Sequence, residues 1–105
     1  MNNFEHDILL AIGKYNPSLL GVVDQLKVTK REFTGAGCFI DFEKIKKPIE
    51  LHTQTLDLYG VIYLPNSTQL TAHIEMEAGI PLFLEISCLT KGGWEGDYNG
   101  YQINN

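Results

Sequence analysis

The chain is 105 residues long, 44% apolar and 20% charged, with a formal net charge of −5. That length fits one domain, residues 1–105, with a core of its own, and the composition excludes wholesale disorder. No apolar run approaches the ~20 residues of a membrane-crossing helix, and an acidic chain is a poor non-specific ligand for nucleic acid, where several phosphates must be neutralised.

An amphipathic helix is expected first, from Phe4 to about Lys14. Phe4, Ile8, Leu9, Ala11, Ile12 and Tyr15 gather on one face at helical spacing, and Glu5 and Asp7 fall in the first turn, where the dipole favours acids. Acids ahead of the apolar run, with no early Lys or Arg, do not read as an export signal, and the tail lacks a lipidation motif, so a cytoplasmic location is expected. Asn16-Pro17 then predicts a second, short helix through Leu19, Leu20, Val22, Val23 and Leu26, weakened by Gly21.

From Lys27 the period changes to two. Lys27 to Phe33 predicts a strand with Val28, Lys30 and Glu32 on one side and Thr29, Arg31 and Phe33 on the other. Thr34-Gly35-Ala36-Gly37 interrupts it, and Cys38, Ile40 and Phe42 share a face of the next strand. After a charged loop from Glu43 to Pro48, further strands are expected over Leu56 to Leu64, Gln69 to Met76 and Leu82 to Cys88, separated by Pro65-Asn66-Ser67 and Ala78-Gly79-Ile80-Pro81. Strands segregated from helices imply an α+β fold: two N-terminal helices packed on a mainly antiparallel sheet of four to six strands.

Arg31-Glu32-Phe33-Thr34-Gly35-Ala36-Gly37, leading into Cys38-Phe39-Ile40-Asp41-Phe42, resembles a group of small bacterial proteins with a leucine-rich helical start and an arginine-glutamate-aromatic-threonine-glycine-x-glycine motif. Their glycine- and aromatic-rich tail is echoed by Gly92-Gly93-Trp94-Glu95-Gly96-Asp97-Tyr98. The resemblance covers about eighteen residues, Gln25 to Phe42, and implies fold and bacterial origin but no activity.

No spacing specifies catalysis. The glycine turn at 34–37 lacks the Gly-Lys-Ser/Thr of a phosphate loop, so its glycines are read as serving backbone geometry. Cys38 and Cys88 sit on apolar strands and are expected to be reduced and slow to react; with His6, His52 and His73 scattered, no metal set or cofactor is implied. Glu75, Glu77 and Glu85 could converge across a hairpin as paired carboxylates, but alternation makes them, with His73, the solvent face of a sheet. Seven of the eight basic residues precede position 48, whereas residues 48–105 carry seven acids and only Lys91.

The tail from Gly92 to Tyr101 stands out. Trp94, Tyr98 and Tyr101 combine apolar area with a polar tip, and Glu95 and Asp97 between them resist full burial, which makes these five the candidate partner-binding residues. The competing reading is that Trp94 and Tyr101 cap the core. The sequence thus suggests a non-catalytic module recognising a protein partner, immunity- or antitoxin-like, or self-associating. The alternative is a small enzyme or ligand-binding domain using polar groups in a curved sheet.

Overall fold

Helical periodicity at the start of the chain and two-residue alternation from Val28 onward sort into two layers in the structure, a computed structural model describing residues 1–105. Helix α1 (Asn3–Gly13) begins at Asn2, whose side chain accepts from the Glu5 N–H at 2.8 Å while the Asn2 N–H donates to Glu5 Oε1 at 3.0 Å. This reciprocal capping box satisfies two N–H groups at the helix start. Phe4, Ile8, Leu9 and Ile12 are buried, as their spacing predicts, whereas Tyr15 is exposed.

The second expected helix is reduced to a single turn, α2 (Pro17–Leu20), and a 3-10 turn at Val23–Gln25. Asn16 does not cap α2. Its Nδ2 donates back to the Ile12 carbonyl at 3.0 Å, so it closes α1 instead. With no side-chain cap and Gly21 directly after it, α2 has little to extend it. Leu19, Val23 and Leu26 still reach the core.

The strands are β1 (Val28–Phe33), β2 (Gly37–Phe42), β3 (Thr55–Asp57), β4 (Val61–Tyr63), β5 (Gln69–Glu77), β6 (Ile80–Cys88) and β7 (Gln102–Asn104). They form one sheet of seven in the order β1-β2-β6-β5-β4-β7, with β3 also on β5, and every pairing is antiparallel. Two features raise the number above the expected four to six. The apolar run ending at Leu64 breaks at Tyr59-Gly60, so that β3 and β4 line successive parts of one edge of β5. The tail then returns to pair β7 with β4.

Local geometry adjusts the simple alternation. A bulge between Val28 and Lys30 pairs Val28 with Phe42, so Val28 turns to the core and away from Lys30 and Glu32. The β5–β6 hairpin turns through Ala78 (φ +49°) and Gly79 (φ +80°), the two positive-φ positions that match the twist of a tight hairpin. Gly37 faces Ser87, and a Cβ there would collide with the Ile86 carbonyl oxygen, so the close approach of β2 to β6 requires glycine.

The sheet has two unlike faces. Cys38, Ile40, Phe42, Leu70, Ile74, Leu84 and Ile86 join Phe4, Ile8, Leu9 and Ile12 of α1 in one core. Phe39, Asp41, Phe83, Glu85, Thr71, His73 and Glu75 project to the other side, where strict alternation along β5 leaves them half-buried. No helix is long and apolar enough to cross a membrane.

Candidate functional site

The two glycine-bearing motifs meet at one end of the covered face. The Trp94 N–H donates to the Gly35 carbonyl at 3.1 Å and the Cys88 N–H to the Ala36 carbonyl at 2.8 Å, so the β1–β2 turn is docked against the tail and the end of β6. Phe33 lies 5.7 Å from Trp94 between ring centroids, Phe4 stacks on Tyr98 at 4.5 Å and 4°, and Tyr101 meets Phe4 edge-on at 4.8 Å. Such pairs contribute ~0.5–1.5 kcal/mol each beyond the area they bury.

This geometry decides where the five candidate residues stand. Trp94 is buried, and its Nε1–H donates to the Asp97 carbonyl at 2.8 Å. Tyr98 and Tyr101 are half-buried against Phe4, and the Tyr101 hydroxyl donates to Asp7. Glu95 and Asp97 are exposed. A partner meeting this segment would find two carboxylates and the outer edges of two tyrosines, not the indole.

Glu5 anchors the junction from below. Arg31 of β1 donates from Nε to Glu5 Oε2 at 2.6 Å and from the guanidinium to Oε1 at 2.8 Å, a bidentate pair between residues 26 positions apart. The Glu5 side chain is only 3% exposed and that of Arg31 40%. Burial pushes the Glu5 carboxyl up, but the Arg31 and Asn2 hydrogen bonds and the guanidinium charge outweigh it and hold the group below its ordinary value. Arginine in the motif therefore ties an edge strand to the start of α1. The pattern Asn2-x-x-Glu5 is a capping-box signature that marks Glu5 in advance; its ion pair with Arg31 has no such local mark.

The open face carries a second group of candidate side chains. Cross-strand register sets Glu32 beside Phe39, Phe39 beside Glu85, Glu85 beside His73 and His73 beside Asp57. The neighbouring row runs Lys30, Asp41, Phe83, Glu75 and Thr55. His73 Nε2 lies 3.4 Å from Glu85 and 3.8 Å from Glu75, so the strand alternation does bring these two acids together, around an imidazole. Phe39 and Phe83 meet edge to face at 5.7 Å and belong neither to the core nor to the half-buried residues packed on it.

Beside this face, Leu51, His52, Gln54, Glu75, Glu77 and Leu82 line an open cleft of about 500 Å3. Lys27, Lys44, Lys46 and Lys47 line another of about 450 Å3 at the end of β1. Cys38 and Cys88, on the adjacent strands β2 and β6, are free thiols. Burial pushes the Cys38 thiol up, away from the nucleophilic thiolate, and Cys88 Sγ lies 3.3 Å from the Thr90 carbonyl. Comparison with protein-family models, curated proteins and solved structures finds no match to the chain.

Proposed function

We propose that the protein is a non-catalytic binding module of a bacterial cell, acting on a protein partner through the open face of its sheet. The observation that supports this is the pair Phe39 and Phe83, two adjoining rings that no core residue covers and that carboxylates flank. Aromatic residues within a polar rim are what recognition surfaces concentrate, and acidic charge speeds encounter with a basic partner. An immunity- or antitoxin-like protein that masks a basic target is one such module, and a self-associating protein is another.

The test is affinity capture from an extract of the source cells with three baits: the wild type, Phe39→Ser/Phe83→Ser, and Tyr98→Ala. Capture lost only with the double variant, while its circular dichroism stays native, supports the open face. Capture lost only with Tyr98→Ala moves recognition to the tail. A ligand-binding reading draws on the cleft where His52, Glu75 and Glu77 converge; saturable binding of a small metabolite that Glu77→Gln abolishes would favour it.

A further inference from the structure

Resting on the reading of the open face as a recognition surface, we propose that its occupant is a cationic polypeptide segment whose arginine side chains seat over Phe39 and Phe83. Each ring stands between two carboxylates on the flanking strands, Phe39 between Glu32 and Glu85 and Phe83 between Asp41 and Glu75. Strands lie ~4.8 Å apart, so each acid is within side-chain reach of the ring beside it. Guanidinium is the group that uses both parts at once: its fork donates to a carboxylate while its plane stacks on an aromatic face.

Internal compensation on the face is only partial, although the Ser87 hydroxyl also donates to Glu85 Oε2 at 3.4 Å. Against Glu32, Asp41, Asp57, Glu75 and Glu85 it holds Lys30, already 3.7 Å from Glu32, and His73, between Glu75 and Glu85. Like charges gathered on one sheet face repel, and a cationic segment laid across the strands removes that repulsion while covering the rings. The same sign works against the other occupants. A second copy pairing through this face would set carboxylates against carboxylates, and a nucleic acid would bring phosphates to them.

The experiment is an amide NMR titration of the full chain with three unstructured octapeptides, alternating serine with arginine, with lysine and with glutamate. The arginine peptide is expected to move the signals of β2, β5 and β6, to bind several-fold more tightly than the lysine peptide, and to lose about tenfold in affinity with Phe39→Ser/Phe83→Ser, a change that leaves the charge intact. Should that variant unfold, Glu75→Gln/Glu85→Gln keeps the shape and is expected to lose a similar factor.

Equal arginine-peptide affinity for the wild type and the variants, or shifts centred on Glu95 and Asp97, overturns the proposal. Open-face shifts from the glutamate peptide alone, or from raising the protein concentration alone, overturn the cationic occupant but keep the face as a recognition surface. No shift of the face with any peptide, together with cellular capture unchanged in the double serine variant, overturns both.

Discussion

On the covered face of the sheet, Phe4 lies flat on Tyr98 at 4.5 Å, with Trp94 and Tyr101 around it and the Glu5–Arg31 pair beside it. On the open face, Phe39 and Phe83 meet at 5.7 Å with carboxylates on either side and no third ring. Both groups combine aromatic rings with acids. The difference is where the polar groups end. In the first, the indole N–H, the Tyr101 hydroxyl and the Glu5 carboxylate all bond within the chain. In the second, Lys30, His73 and Ser87 engage some of the acids, but acids still outnumber bases and the two half-buried rings lie outside the core cluster. A closed aromatic cluster holds a fold together, whereas an unclosed one is what the proposed reading assigns to a partner.

The widest separation between the faces is expected from ring truncation. Trp94→Ala should cost about 3–5 kcal/mol in urea unfolding, because a buried indole leaves a cavity between Phe4 and Phe33. Phe83→Ala should cost about 1 kcal/mol, since a half-buried ring gives up less transfer free energy. Equal costs at the two positions would erase the distinction between the faces.

Arg31→Ala comes next, at about 2–3 kcal/mol, because it strands the Glu5 carboxylate where water barely reaches. The half-exposed guanidinium keeps this below the cost of breaking a fully buried pair. Arg31→Lys keeps the charge but not the fork and should fall between wild type and alanine by denaturant midpoint. If Arg31→Ala proves neutral, the edge strand does not depend on α1 as described.

Tyr101 gives a smaller effect with a pH signature. Its hydrogen bond to Asp7, then burial and the Asp7 charge, pushes the hydroxyl up to about 12. A phenol pKa raised by folding favours the protonated form, so its stabilisation is complete below the unfolded value of ~10 and is lost as pH climbs from there toward 12. Tyr101→Phe should cost about 1 kcal/mol at neutral pH and remove that part of the alkaline loss of stability. An unchanged alkaline profile in Tyr101→Phe would show that the Asp7 contact does not form in solution.

Much of this arrangement is legible in the residues. Helical spacing places Phe4, Ile8 and Ile12 on one side of α1, and alternation along Leu70 to Met76 separates a core face from His73 and Glu75. The sequence-based argument that Glu95 and Asp97 keep the tail at the surface holds for those two residues but not for Trp94. Gly96, at φ +90° between the acids and packed on Phe33, lets the chain turn so that the indole enters the core while both carboxylates stay in water. Composition alone cannot distinguish a conforming interface loop from a loop that caps a core, because both need glycine next to aromatics. Strand order is equally hidden: nothing near Phe39 or Phe83 indicates that β2 and β6 are neighbours, so the paired rings emerge only in three dimensions.

The most direct test is solvent paramagnetic relaxation of the aromatic ring protons with a soluble, uncharged gadolinium chelate. Phe39 and Phe83 are expected to relax strongly, and Phe4 and Trp94 to stay close to their values without the probe. Strong relaxation of Trp94, or protection of Phe39 and Phe83 equal to that of Phe4, would contradict the account.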